Sequence, residues 1–217
     1  MIIQFKKKYF SSKSPTYLLD HYKAVLIISL LLIVASFLFI DKSFALFATS
    51  LSPTVKELFS SLSKLFSPLF WVLMSSLLFF VTRFVLKREK KSRKFWYFSL
   101  MFPLVLLGCK LLQLIVGRAS PEWFILHQEA PFRLFEWNPL FHSFPSALSC
   151  NIMAFGSALS CLFQKRSLYY LIGAFALSFM PALAGDVFIS DSLAGICLGA
   201  LLAQWIFKMV KREVHLI

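Results

Sequence analysis

Acidic residues are scarce in this chain: 10 Asp and Glu stand against 23 Lys and Arg, for a formal net charge of +13. Such an excess invites a nucleic-acid reading, but a nucleic-acid groove needs polar surface on which to display its cations. Polar surface is scarce as well. Of 217 residues 59% are hydrophobic, 26 of them Phe, and the mean hydropathy is +0.74, whereas a soluble domain is roughly 45–50% apolar. No nucleic-acid partner is expected. Cysteine offers no framework either. Cys109, Cys150, Cys161 and Cys197 all lie in apolar runs without paired loop spacing, which excludes a disulfide scaffold or a thiolate metal site and leaves small buried hydrophobes. The leading stretch MIIQFKKKYFSSKSPTYLLDHYK lacks an apolar core with a cleavage site after it, so the first apolar run reads as a span and not as a signal peptide. Internal repeats and low-complexity linkers are missing too, and the expectation is one integral-membrane domain over residues 1–217.

What is present is a series of apolar windows of the length a helix needs to cross a bilayer, roughly 17–25 residues. After a cytoplasmic lead-in, residues 1–23, the spans are expected at 24–40, 66–86, 95–116, 146–163, 167–183 and 190–210, with an outer loop at 117–145. Between the first two, Val55, Leu58, Phe59, Leu62 and Leu65 recur at helical spacing behind Pro53. That pattern predicts a short amphipathic helix, lying on the membrane surface or packed on the bundle. Pro103 is expected to kink the third span. Basic residues set the orientation: Lys6, Lys7, Lys8, Lys13, the run Lys87–Lys94, Lys165, Arg166, Lys208, Lys211 and Arg212 all fall on one side if six spans are threaded. The positive-inside rule places that side, and both termini, in the cytoplasm. Trp71, Trp96 and Trp205 near span ends fit interfacial anchors. The fold class is therefore all-α, a polytopic bundle of six transmembrane helices.

Three fragments meet on the outer face: GRASPE (Gly117–Glu122), HSFPSALS (His142–Ser149) and GDVFISDSLAG (Gly185–Gly195). In their order and in the spans they join, they resemble the type 2 phosphatidic acid phosphatase superfamily, membrane lipid phosphatases related to vanadium haloperoxidases. The resemblance implies a phosphate site built from Lys, six residues and Arg-Pro, then Pro-Ser-Gly-His, then Ser-Arg, five residues, His, three residues and Asp. On that alignment the motif lysine falls at Gln113, the arginine at Ser120, the general-acid histidine at Leu148, the second arginine at Pro181 and the nucleophilic histidine at Val187. Ser146 and Asp191 keep the family's residues, and Asp191 in the family would orient the nucleophilic histidine. A phosphate monoester carries about −1.5 to −2 charges and needs cationic or N–H donors where water is scarce. Phosphoryl transfer is mostly positioning and electrostatics, so a site without those groups loses most of its catalysis.

Neighbours could rebuild it. Lys110 lies one helical turn before Gln113, Arg118 just before the motif position, Asp186 beside Val187, and His142 in the loop. Lys110 and Arg118 stand one residue too far apart for the motif, and one residue turns a helical side chain by about 100°. Lys110 is expected to snorkel toward headgroups, or else to pair with Asp186 or Asp191. His127 and His142, with Glu122, Glu129 and Glu136, match no ligand spacing, so no metal and no cofactor are expected. Gly195 and Gly199 in the last span suit close helix packing. The leading expectation is a non-catalytic member of the family with a degenerate site, binding a membrane lipid or a membrane protein partner. An active lipid phosphate phosphatase with a rebuilt site, and a small transporter component, are the alternatives.

Overall fold

The computed structural model describes residues 20–87, 89–127 and 132–214. Lys6, Lys7, Lys8, Lys13 and Glu129, and most of the expected lead-in, lie outside them. Regular structure among the described residues is helical: α1 (Tyr22–Phe39), α2 (Asp41–Ser50), α3 (Pro53–Lys64), α4 (Pro68–Phe80), α5 (Glu89–Val116), α6 (Pro121–His127), α7 (Ala147–Leu162), α8 (Ser167–Leu177), α9 (Met180–Ala184) and α10 (Ile189–Val214). Proline opens α3 and α4, where its missing N–H costs nothing. Five stretches are long and apolar enough to cross a membrane: Tyr22–Phe39, Pro53–Val85, Lys94–Val116, Gln164–Ala184 and Ile189–Val210. Helix α7 is shorter, with 16 residues, and at 1.5 Å per residue it reaches only about 24 Å. It is also the most enclosed, packed between α5, α8 and α10.

Several boundaries differ from the sequence reading, each for a local reason. A helix the sequence did not announce, α2, follows α1 after one residue, because Phe44, Ala45 and Ala48 continue the apolar pattern past Asp41. Beyond Phe80 the second span passes into one π turn, Val81–Val85, where Thr82 Oγ1 donates to the Leu78 carbonyl at 2.7 Å. The fifth breaks after Leu177, where Ser178 Oγ bonds the Ala174 carbonyl at 2.7 Å and Pro181 brings no N–H to the ladder. Helix α5 runs through Pro103 as one element. The amphipathic α3 packs against α9, with Ser63 buried and Leu58 exposed.

The core lies between α5, α7 and α10. Tyr97, Met101, Phe102 and Val105 of α5 meet Cys150, Ala154 and Ala158 of α7 and Ala203, Ile206 and Phe207 of α10. Tyr97 satisfies its hydroxyl on the Ala203 carbonyl at 2.9 Å. Trp71 turns inward instead of anchoring at an interface: its ring lies 4.7 Å from that of Phe155, and its indole N–H bonds the Leu65 carbonyl. Trp96 and Trp205 remain at the surface. Helices α7 and α10 approach closely. A Cβ on Gly199 would stand 2.2 Å from the Cys150 carbonyl oxygen, and one on Gly195 2.6 Å from that of Ser146. Glycine at both positions lets the helices touch, as the spacing predicts. Large hydrophobics of α1, among them Ile27, Leu31 and Leu38, face outward, the arrangement a lipid-facing helix requires.

Candidate functional site

One end of the bundle is closed by the segment after α5. At Gly117 the backbone turns into the left-handed region, φ 57°, and a Cβ there would lie 1.6 Å from the Arg133 carbonyl oxygen. Only glycine fits. Arg133 N–H donates to the Gly117 carbonyl at 2.7 Å and Ser143 N–H to the Arg118 carbonyl at 3.1 Å, so both arms of the loop are stitched to this turn. The consequence is that Arg118, one residue beyond the turn, is driven inward and left 3% exposed.

Its guanidinium is held between two carboxylates. Nη1 donates to Asp191 Oδ1 at 2.5 Å and to Ser190 Oγ at 2.6 Å, and Nη2 donates to Asp41 Oδ2 at 2.7 Å. Asp41, the first residue of α2, is 3% exposed and also accepts from the Ser190 backbone N–H at 3.0 Å and the Ser190 hydroxyl at 2.5 Å. Asp191, fully buried in the first turn of α10, accepts from Ser143 Oγ at 2.6 Å and from the Phe188 N–H at 3.0 Å. The rings of Phe188, Phe37 and Phe132 lie 4.1, 5.1 and 5.7 Å from the guanidinium carbon. Two carboxylates against one cation is an unbalanced ledger for a buried site. The N-terminal end of α10, its N–H groups and the serine hydroxyls offset the second negative charge, and the aromatic faces favour the cation.

The site connects to the helices that carry it. Ser146 caps α7, accepting from the Ser149 N–H at 3.2 Å and hydroxyl at 2.8 Å, while its own N–H donates to the Asp191 carbonyl at 3.0 Å. Gln113, buried on α5, donates from Nε2 to the Pro145 carbonyl at 2.8 Å. Thus the ends of α5, α7 and α10, with the junction of α1 and α2, meet at one polar cluster roofed by the loop.

A sequence model of the PAP2 superfamily matches residues 94–215, more than half of the 217. The chain belongs to the PAP2 superfamily. Two PAP2 relatives are lipid A 1-phosphatases. That of Rhizobium johnstonii is 29% identical over 190 residues, 82% of this chain and 77% of the relative. That of Rhizobium etli is 28% identical over 155 residues, 67% of each. The crystal structure of a transmembrane PAP2-type phosphatidylglycerolphosphate phosphatase from Bacillus subtilis superposes with a TM-score of 0.57 at 20% identity, over 88% of this chain and 96% of that one. The fold is therefore that of a membrane PAP2 protein.

Within the PAP2 frame, the structure gathers some of the sequence-derived positions and separates others. Gln113, Ser146, Arg118 and Asp191 belong to the linked polar cluster. Ser120, half-buried, donates its N–H to the Leu140 carbonyl at 3.0 Å and caps α6 by accepting from the Trp123 N–H at 3.4 Å. Leu148 and Val187 are half-buried and Pro181 is buried, its carbonyl accepting from the Asp186 N–H. Lys110 is exposed and makes no ion pair with Asp186 or Asp191. Its place on the outward side of α5 accounts for this, and the alternative of a pairing with either carboxylate is not formed. His142 sets Nε2 against the Glu136 carbonyl at 3.0 Å, and His127 stacks on Trp123. No group of three potential metal ligands assembles among the described residues.

Asp186 sits on the short connection before α10. Although its surface is accessible, the crowding protein pushes its carboxyl above the usual value of 3.8; Lys64 counters the rise and Glu122 adds to it. Sequence reasoning missed Asp41, which it took for the end of a span. The available signal was that an apolar run precedes it and apolar residues resume at Phe44, and a charge in such surroundings calls for a partner.

Proposed function

We propose that this protein is a non-catalytic member of the PAP2 superfamily, with a degenerate phosphate site on the non-cytoplasmic side of the membrane and a lipid-binding or partner role. The six-span arrangement with both termini cytoplasmic is part of the same reading, with the short α7 counted as the fourth span. The observation that carries it is the engagement of Arg118. The buried cation of the cluster is already paired with Asp41 and Asp191, and two carboxylates beside one guanidinium would repel an incoming phosphate. At the aligned motif positions, Gln113, Ser120, Leu148, Pro181 and Val187 supply no cation and no imidazole. Without an imidazole at either place, nucleophilic attack and leaving-group protonation have no agent. The names of the lipid A 1-phosphatases point to a phosphorylated lipid as the ancestral ligand class, and a membrane lipid is the ligand we assign here.

An active enzyme with a rebuilt site would need Arg118 released and a histidine brought to it, whereas the His142 ring engages a backbone carbonyl. The test is phosphate release from lipid phosphates by purified protein in lipid nanodiscs, with a search for phosphohistidine during incubation. Neither is expected. Release that vanadate inhibits and Arg118→Ala abolishes would refute the non-catalytic reading.

A further inference from the structure

A second site lies at the other end of the bundle. Lys94 and Gln113 stand nineteen residues apart on α5, about 28 Å along the helix axis, so the end that carries Lys94 is remote from the Arg118 cluster. There a cavity of about 660 Å³ is lined by Lys94, Lys165, Arg166, Gln164, Phe163 and Tyr170, with Cys161 and Leu162 among its walls. The elements that build it are the start of α5, the end of α7, the 3-10 turn Gln164–Arg166 and the first turns of α8. Basic residues at a span end serve orientation wherever on the rim they point. Here three from two distant stretches of sequence converge on one hollow.

Among the described side chains their charge is uncompensated. No carboxylate among the described side chains pairs with Lys94, Lys165 or Arg166. Asp20, which does pair with a lysine, is taken by Lys208 at 3.5 Å. Lys94 Nζ lies 5.3 Å from the centre of the Phe163 ring, which places a cation beside an apolar wall. Phe163 is itself exposed, as are Leu168, Tyr169 and Ile172 on the adjoining helix. A cationic hollow that opens onto an apolar outer surface suits a molecule with an anionic head and a hydrocarbon tail.

We infer that this cavity binds the phosphate-bearing headgroup of an anionic membrane lipid, with the acyl chains lying along exposed α8. The two lysines and Arg166 would meet the phosphate oxygens, Arg166 with its planar fork of donors, and Gln164 and Tyr170 could donate to ester and hydroxyl oxygens. The inference does not depend on what happens at the outer site.

The test uses full-length protein in nanodiscs and in detergent. Lipid retained after delipidation is weighed by native mass spectrometry for the wild type, for Lys94→Gln/Lys165→Gln/Arg166→Gln, and for Lys87→Gln, an exposed cation outside the cavity. Each basic residue at an anionic surface accounts for about 1 kcal/mol, so the triple variant should lose affinity for phosphatidylglycerol by about 100-fold while Lys87→Gln keeps it. Thermal melting of the wild type with added lipid needs no variant. Phosphatidylglycerol should raise the midpoint, whereas phosphatidylcholine and orthophosphate at equal concentration should not. Equal retention by the triple variant, equal protection by phosphatidylcholine, or protection by orthophosphate alone would each overturn the inference.

Discussion

Arg118 shows how much one side chain can be asked to do. Among the described residues it is the one cation paired with the two buried carboxylates, and removing it strands both. Breaking a buried ion pair from one side costs about 3–5 kcal/mol, so Arg118→Ala should lower the melting temperature of the purified protein severely. Asp41→Asn should cost less, on the order of 1–3 kcal/mol, because Asp191 still pairs with the guanidinium. In the double variant the losses should fall short of their sum, since the residues form one network. Full additivity in thermal melts would mean that the network does not exist. Asp186 titrates in the opposite sense from a paired carboxylate. Its folded pKa lies above the usual 3.8, so the folded state holds the proton more tightly, and stability falls as pH rises from about that value through the raised one. Asp186→Asn should therefore raise the melting temperature at pH 7 and leave it unchanged below pH ~3.5. Equal melting at both values would place the carboxyl back in its ordinary range.

At the scale of elements, the decisive contact is α7 against α10. Gly199 allows the approach, and an added methyl would meet the Cys150 carbonyl oxygen at 2.2 Å. The oxygen belongs to the backbone and cannot swing aside, so the helices must part. Gly199→Ala should cost about 1–3 kcal/mol as an overpacked interface, and a melting temperature unchanged in detergent would show that the helices sit farther apart. The turn at Gly117 matters differently. With φ 57° and a carbonyl 1.6 Å from the missing Cβ, Gly117→Ala should unseat the loop and with it Arg118, exposing the segment to protease in intact vesicles. The sequence reading kept Arg118 as a possible compensating residue and judged its spacing from Lys110 by helical geometry; α5 ends at Val116, and the residue after Gly117 no longer follows that geometry. Asp41 escaped notice for a related reason: a charge after an apolar run reads as a boundary, and only the fold brings α2 back beneath the loop.

For the whole molecule, the proposed orientation rests on the exposed apolar belt and the distribution of lysine and arginine. Cysteine-accessibility labelling of spheroplasts, with single reporters near Lys87 and in the loop near Trp137, should label the loop from outside and the Lys87 region only after permeabilisation. Reporters that label from the same side would refute the six-span count. The polar ends then have distinct characters. One is a closed, internally paired cluster on a PAP2 fold. The other is an open hollow whose cations have no carboxylate partner among the described residues.

Composition and periodicity alone decide that the chain is an all-helical membrane protein, because the bilayer's demand for about 20 apolar residues per span is written locally in the sequence. Motif order was equally legible and led to the PAP2 superfamily, since each fragment is contiguous. What only the tertiary structure decided is which charges meet. Asp41, Arg118 and Asp191 are separated by more than 70 residues at each step, and pairing in a buried site depends on distances of a few ångströms that no linear spacing encodes. The same holds for Lys94 with Lys165 and Arg166: electrostatic neighbours are made by packing, and packing is settled by the helices together.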